Sequence, residues 1–394
     1  MDFALTDEQT QLRDTLTRFV QKDYTFEKRK EILKSKDGFS RAVWKQFADM
    51  GLTAIGLPEE HGGLGGSAVD TQVVMEVLGR GLVVEPYVAT VVLGAGLIAR
   101  AGSDAQKAAL LPGVAAGDTQ LAFAHYEPAS RYELAAVTTT AKKDKSGYVL
   151  NGAKAVVLNG GAAHHLIVSA RSSGKPRDEA GLSLFIVDAK AKGVTIHAYP
   201  THDGQRAADI TLKDVAVPAD ARVGKEGAAF AEIERTVDHG IAALCAEAVG
   251  AMGALNEITL AYLKTRKQFG VPIGSFQVLQ HRMADMVMHT EQARSMTLLA
   301  TSKLDARDAA ERRRALSAAK AMVGQSARFV GQWAVQLHGG IGVTDELSTG
   351  HYFKRLTLIN ATFGDADHHL GQVSDRILAE ATAAPAAAKA RKAG

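Results

Sequence analysis

Residues 262–273 read YLKTRKQFGVPI, and they separate two long stretches of helical periodicity. A helix that ends in Lys264, Arg266 and Lys267 before Gly270 has the usual composition of a helix C-terminus. The same residues suit an anionic ligand, because an arginine guanidinium makes bidentate, charge-assisted bonds to phosphate oxygens. Taken alone, this stretch leaves both interpretations open.

A second unusual segment, residues 336–342, reads QLHGGIG. Three glycines after a helical pattern allow backbone N–H groups to approach a ligand closely. The same glycines are also typical of an ordinary helix terminus. This segment, too, does not decide between a structural and a binding role by itself.

Outward from these segments, the periodicity predicts helices, then strands, then helices. Leu12, Leu16 and Phe19 recur at helical spacing near the N-terminus, and a helical stripe through Ile233 and Val237 begins the last part of the chain. Long helices with short connections indicate an antiparallel bundle. We therefore predict helical regions on both sides of a central region of different character.

The central region is rich in β-branched residues and turn formers. We expect strands at residues 135–140, 148–154, 166–170, 182–187 and 210–212, the second of them entering a tight Asn151-Gly152 turn. The predicted fold class is α+β. Its parts are an N-terminal helical domain (1–119), a middle antiparallel, barrel-like β domain (120–226), a C-terminal four-helix bundle (227–382) and a disordered tail (383–394).

Composition narrows the class of protein. The 394 residues are 46% hydrophobic and 23% charged, and the net charge of +3 is too small to favour a nucleic-acid partner. The single cysteine, Cys245, excludes an intrachain disulfide and favours a reducing compartment. The first residues lack a signal-peptide pattern, and the longest apolar stretch, 87–99, is too short to cross a bilayer. These features predict a cytoplasmic protein with no membrane partner. No metal site is expected at the adjacent His368 and His369, because neighbouring side chains on a helix point apart.

Taken together, the two glycine-containing segments are specific. Arg-Lys-Gln-Phe-Gly-x-Pro-Ile with Phe276-Gln277, followed by Gln-Leu-His-Gly-Gly-x-Gly, resembles the acyl-CoA dehydrogenase family. The resemblance extends to residues 57–63, 127–128, 151–154 and 215–218, and so covers nearly the whole chain. Residues 81–87 and 364–369 look like the small subunit of pimeloyl-CoA dehydrogenase and related heteromeric enzymes.

The resemblance implies FAD bound at a subunit interface of a dimer or a dimer of dimers. It assigns contacts with the FAD diphosphate and adenosine half, made from the neighbouring subunit, to Arg266, Gln268, Phe269, Phe276 and Gln277. It assigns the other side of that cofactor to Gln336, Gly339 and Gly340. An arginine fork, amide side chains and glycine backbone agree with this, because they suit a dinucleotide diphosphate.

The chain departs from the family pattern around the flavin ring. The usual Thr-Glu-Pro-x-Ala-Gly-Ser-Asp is here residues 126–133, YEPASRYE, and the flavin-stacking Trp-Ile-Thr is Val156-Val157-Leu158. We assign Val156 and Leu158 to the flavin face. Tyr126, Arg131 and Tyr132 are assigned to a reshaped substrate cleft, to which Arg206 would also contribute.

The usual catalytic base is also missing. Phe363 stands where the resemblance places a glutamate, and Gly240 occupies the alternative position used by some members. Removal of an α-proton needs a base, and a carboxylate in a water-poor pocket has a raised pKa that suits this task. Asp238, Glu247 and Asp365 are the candidates, and a chain with no base of its own is the remaining alternative.

These features predict an FAD-dependent acyl-CoA dehydrogenase subunit. The expected reaction is α,β-desaturation of a pimeloyl-CoA-like or bulky acyl-CoA, with electrons passing to an electron-transfer flavoprotein. The expected assembly is a heterotetramer with a related chain, or a homodimer or homotetramer. The alternative is a non-catalytic subunit that completes the FAD site of a partner.

Overall fold

The computed structural model describes residues 4–390, with side chains for residues 4–382. The N-terminal helices are α1 Asp7–Asp23, α2 Phe26–Leu33, α3 Arg41–Asp49, α4 Ala68–Arg80, a π-helical segment Val88–Ala95 continuing into α5 Gly96–Ala101, and α6 Asp104–Ala115. The later helices are α7 Phe230–Thr265, α8 Gln277–Lys303, α9 Ala309–His338, α10 Ser348–Ala361 and α11 Ala366–Ala390.

Ten strands lie between and beside these helices. They are β1 Leu121–Ala124, β2 Thr140–Asp144, β3 Gly147–Leu158, β4 His165–Arg171, β5 Leu182–Asp188, β6 Val194–Pro200, β7 Arg206–Pro218, β8 Arg222–Val223, β9 Lys267–Gln268 and β10 Val271–Pro272. Strands β1 to β8 form one sheet in the order β6-β7-β3-β2-β4-β5-β8, with β1 beside β4. The predicted α+β class is confirmed, with helical regions flanking a sheet.

The chain forms two compact units by its internal contacts. One contains Asp7–Val74 and Val83–Ala243, and the other contains Met75–Leu82 together with residues 4–6 and 244–390. We call them the sheet unit and the bundle unit. The sheet unit is built on a core of small and branched residues between the strands, which includes Leu150, Phe185 and Val215.

In the bundle unit, α9 packs against α8, α10 and α11. The end of α4 approaches α7 backbone to backbone, because a Cβ added at Gly79 would lie 2.0 Å from the Glu247 carbonyl oxygen. One helix among residues 4–390, α7, is long and apolar enough to cross a membrane, and 83% of its most apolar window is buried, as in a core helix.

Some sequence predictions about local structure were wrong. Residues 135–139 are not a strand, because Glu127 accepts hydrogen bonds from the Thr138 and Thr139 N–H groups and Arg171 donates to the carbonyls of Ala135 and Val137. These side chains take the backbone groups that a sheet would use.

Asn151-Gly152 does not form a turn, because β3 continues through it with a register shift against β7. Two of the seven strand pairings in this sheet also differ from the predicted antiparallel arrangement, since β1 and β2 pair with β4 in parallel. The predicted disordered tail is helical through Ala390, consistent with the high helix propensity of its alanines, and residues 391–394 lie outside the described residues.

Candidate functional site

The bundle unit brings the two glycine-containing segments together. The Tyr262 ring, one turn before Arg266, stacks on the His338 ring with centroids 4.5 Å apart. The His338 Nδ1 atom lies 2.8 Å from the Ala334 carbonyl oxygen, one turn back along α9. His338 is buried, so it fixes the end of α9 against the end of α7 and leaves the following glycines outside.

The polar side chains in and beside these two segments are exposed; they are Arg266, Gln268, Gln277 and Gln336. Arg266 makes no ion pair with any residue between 4 and 382. Around Gly339 and Gly340, an added Cβ would meet no atom within 4 Å, so their backbone is open to a ligand. Gly339 has a φ of 65°, which glycine adopts without strain.

The start of α8 adds a second set of donors. Its N-cap residue, Phe276, makes no side-chain capping bond, and Gln277 is the first helical residue. The first N–H groups of a helix have no intrahelical partner and favour an anion. Guanidinium, amide and backbone N–H donors on one surface fit the diphosphate of FAD, and Phe269, which is 91% exposed beside Phe276, adds apolar surface.

The sheet unit contains a buried ionic cluster beneath the segment 126–132. The Lys154 ammonium lies 2.8 Å from the Glu127 carboxylate, and it also donates to the Ser169 hydroxyl and the His125 carbonyl. Both members of the ion pair are buried. Burial would raise the pKa of Glu127, but Lys154 and two threonine donors lower it to about 2.

This cluster positions the residues that the sequence assigned to the flavin face. Lys154 and Val157 flank a β-bulge in β3, and the Ala155 N–H donates to the Tyr126 carbonyl at 2.8 Å. Val156 is 54% exposed and Leu158 is half-buried. The bulge therefore joins Tyr126 and Val156 in one part of the sheet unit.

Two of the four predicted substrate residues interact with each other. Burial, and secondly the neighbouring Tyr132, raises the pKa of Tyr126 well above its ordinary value. Arg131 is exposed, has a positive φ of 45°, and makes no ion pair with the residues between 4 and 382. Tyr126, Arg131 and Tyr132 therefore remain candidate substrate contacts.

Arg206 has a structural contact instead. Its Nη2 donates to the Ser35 carbonyl at 3.1 Å, and a Cβ added at Gly38 would lie 2.4 Å from its Cγ. The side chain thus covers the loop after α2, and the structure offers no support for its pairing with a substrate carboxylate.

The three candidate bases differ in environment. Glu247 forms a buried bidentate ion pair with Arg355, with oxygen–nitrogen distances of 2.5 and 2.6 Å. Asp365 accepts the His368 N–H at 2.9 Å at the start of α11, which is a helix-capping contact. Asp238 is buried in the first third of α7, with 5% of its surface exposed. Glu247 thus has an ion-pair role, and Asp365 has a capping role.

Two buried side chains, Lys320 and His369, fix the backbone of the loop that contains Phe363. The Lys320 ammonium is fully buried and donates to the carbonyls of Asn360 and Gly364 at 2.8 and 2.6 Å. His369, whose pKa is lowered to about 4 by burial and by Lys320, lies with Nε2 2.9 Å from the Phe363 carbonyl. Phe363 is buried in a left-handed conformation with φ 61°, so a residue that cannot accept a proton is held at this position.

Acid unfolding tests the Glu127–Lys154 pair. The carboxylate has a lower pKa in the folded protein than in the unfolded chain, so its stabilising effect is complete above pH 4.5 and is lost as the pH falls to about 2. We expect a loss of about 3 kcal/mol of unfolding free energy across this interval, measured by urea titration at each pH. The double variant Glu127→Gln/Lys154→Met should lose this pH dependence, and an unchanged acid slope in it would refute the assignment.

The donor groups suit an anionic dinucleotide, and comparison with known proteins supplies the family. Models of the N-terminal, middle and C-terminal domains of acyl-CoA dehydrogenase match residues 6–118, 122–215 and 229–378. The chain is 32% identical over 373 residues to the probable acyl-CoA dehydrogenase YngJ of Bacillus subtilis, covering 93% of this chain and 97% of that protein.

Solved structures of related proteins are also similar to this chain over nearly its whole length. The ChsE4-ChsE5 complex from Mycobacterium tuberculosis matches with a TM-score of 0.87 and 25% identity, over 96% of this chain and 99% of that one. An FAD complex of PigA matches with a TM-score of 0.88 and 26% identity, over 96% and 99%. The chain belongs to the acyl-CoA dehydrogenase family, and its cofactor is FAD.

Sequence reasoning missed two buried lysines. Lys154 was noted only as part of a motif and Lys320 not at all, yet both are at most 1% exposed and fix backbone next to a predicted site segment. Lys320 lies among small apolar residues of α9, and a charged residue on the buried stripe of a helix is the signal that was available.

Proposed function

We propose that this chain is one subunit of an FAD-dependent acyl-CoA dehydrogenase that acts with a second, related chain. The observation that carries the proposal is Phe363, held in place by Lys320 and His369 where the family resemblance expects the catalytic glutamate. Glu247 does not replace it, because that carboxylate is already paired with Arg355. A subunit without this base needs another source for it.

Exposed apolar side chains on the bundle unit are compatible with assembly. Those more than half exposed include Phe269, Val278, Met288, Val343 and Leu378. Covering them with a second chain would remove apolar surface from water. The ChsE4-ChsE5 complex shows that a similar chain is found in a complex of two named components.

The chemistry divides between cofactor and protein. When bound, FAD accepts the hydride that leaves the β-carbon of the thioester. Arg266 and the glycine backbone of residues 339–340 would hold the anionic part of the cofactor. Tyr126, Tyr132 and the Val156 bulge are the residues of the sheet unit that would contact flavin or substrate. The α-proton must pass to a carboxylate base in a site that excludes water.

The substrate class follows from segment 126–132. Two tyrosines and an exposed arginine replace the small residues of the family pattern, so we propose a bulky, ring-bearing acyl-CoA or a medium dicarboxylyl-CoA similar to pimeloyl-CoA. Arg131 would pair with a distal carboxylate. Electrons would leave through an electron-transfer flavoprotein, and the proposed location is the cytoplasm.

Exchange of the acyl-CoA α-protons with D2O, followed by NMR, tests the missing base. The purified chain should catalyse little exchange, whereas Phe363→Glu should increase the rate by about 100-fold or more, because a positioned base contributes 10²–10⁴-fold. Phe363→Gln is the matched control, since it has the same shape and cannot act as a base. Equal exchange by wild type and Phe363→Glu would contradict the proposal.

A self-sufficient enzyme that uses Asp238 is the second candidate function. It is favoured by the burial of Asp238 on α7, since a base must lie where water is excluded from the reacting atoms. In this case wild type alone would exchange α-protons and Asp238→Asn would not. A wild type that binds FAD but shows no exchange with any related partner chain would indicate a subunit with no catalytic role.

A further inference from the structure

Val156 combines two unusual properties. Its φ is 52°, a left-handed conformation that a β-branched residue rarely adopts, and 54% of its surface is exposed. Strained backbone persists only where surrounding contacts enforce it, and it is concentrated at functional sites. The contacts that hold Val156 in this conformation therefore indicate which residues support a functional role.

Asp209 on β7 supplies one of these contacts. In the register of β3 and β7, Lys154 pairs with Ile210 and Val157 with Ala208, so Ala155 and Val156 together face Asp209. The Asp209 Oδ1 atom accepts the Val156 N–H at 3.1 Å. The carboxylate thus closes the bulge at its strained residue.

Tyr199 on β6 completes the arrangement. Its hydroxyl donates to the same Oδ1 atom at 2.8 Å, across a strand pair in which Tyr199 and Asp209 are diagonal neighbours. Burial, followed by the bond to Asp209, raises the pKa of Tyr199 to about 12, so the phenol keeps its proton at neutral pH. One carboxylate oxygen is therefore shared by the phenol and the strained backbone.

The other side of the bulge is attached to the segment at residues 126–127. Ala155 donates to the Tyr126 carbonyl, and Lys154 binds Glu127. The bulge is thus held from two sides, by the buried cluster and by the pair formed by half-buried Tyr199 and exposed Asp209. The buried cluster of Lys154 and Glu127 would be enough to hold the bulge if only the fold required it.

We propose that Tyr199 and Asp209 are positioning residues of the flavin site, which hold the Val156 backbone in its left-handed conformation so that the bulge presents a fixed surface to the flavin ring. The inference rests on the proposed placement of Val156 at the flavin. Since Val156 lacks the aromatic ring of the family pattern, a fixed backbone surface is what this residue can offer to the cofactor. Neither residue touches the reacting atoms in this role.

The chain contains a matched control on the same two strands. A second register shift, between Leu150 and Gly152, is bridged by Asn151 and Asp214, whose side-chain and backbone bonds measure 3.1 and 2.9 Å. Asp214 also has a positive φ, of 50°. Asp214→Ala therefore removes a similar carboxylate from a similar irregularity of β3 and β7, away from Val156.

The test measures FAD dissociation constants and flavin reduction potentials for the purified protein, with its partner chain where one copurifies. Asp209→Ala should weaken FAD binding about tenfold and Tyr199→Phe by a smaller factor, both with a shifted potential. Asp209→Asn should recover most of the affinity, because its amide oxygen still accepts the Val156 N–H. Asp214→Ala should lower the urea midpoint and leave both flavin properties unchanged.

The outcomes separate this inference from the function on which it rests. Wild-type affinity and potential in both Asp209→Ala and Tyr199→Phe would overturn the inference while leaving the flavoprotein assignment intact. An equal loss in Asp214→Ala would also overturn it, because the effect would then be one of general sheet stability. A wild type that binds no FAD would overturn both.

Discussion

Replacing Arg266 with alanine is expected to weaken FAD binding by about 10- to 100-fold, since a hydrogen bond to a charged group contributes about 1.5–3 kcal/mol. Arg266 is the exposed guanidinium beside the uncapped start of α8, and it has no ion-pair partner among residues 4–382. The dissociation constant is measured by titrating the apoprotein into FAD and following flavin fluorescence.

Two further variants serve as controls for this experiment. Arg266→Lys keeps the charge and loses the planar fork, so its affinity should lie between wild type and Arg266→Ala. Arg18→Ala removes an exposed arginine from α1 and should change nothing. Wild-type affinity in Arg266→Ala would show that the diphosphate is bound elsewhere.

The second large effect concerns stability. Glu247→Ala is expected to lower the unfolding free energy by about 3–5 kcal/mol, because it leaves the buried Arg355 charge without its partner. Both side chains are at most 10% exposed. Urea unfolding measures the loss, and Glu247→Met combined with Arg355→Leu should recover much of it, since that pair carries no charge.

An exposed ion pair in the same unit provides the control. Arg80 and Glu257 lie 2.7 Å apart with side chains 33% and 67% exposed, so Glu257→Ala should cost no more than about 1 kcal/mol. If Glu247→Ala cost as little, the pair would not be a structural element, and Glu247 would return as a candidate base.

The sequence predicted well whatever depends on local pattern. Helical spacing predicted helices in the last part of the chain, where α7 to α11 lie, and β-branched composition predicted strands in the central region. The segments around Arg266 and Gly339 were recognised as a pair because their residue types are chemically specific. The stacking of Tyr262 on His338 then showed that the fold places these segments side by side.

What the sequence could not predict depends on contacts between distant residues. Glu247 and Arg355 are 108 positions apart, and nothing in the spacing of either residue indicates the other. The bulge at Val156 arises from bonds to β7 and to Tyr126, which local propensity does not contain. The Asn151-Gly152 prediction failed for the same reason, since pairing of β3 with β7 outweighs the preference of that dipeptide for a turn.

The most direct test of the central claim is the visible spectrum of the FAD-loaded chain, purified alone, before and after anaerobic addition of a panel of acyl-CoA thioesters. A subunit with Phe363 in place of a base should keep its oxidised flavin band with every thioester, and should lose it only when the related partner chain is added. Bleaching of the band in the chain alone by any one thioester would contradict the account, and would show that the chain contains its own base.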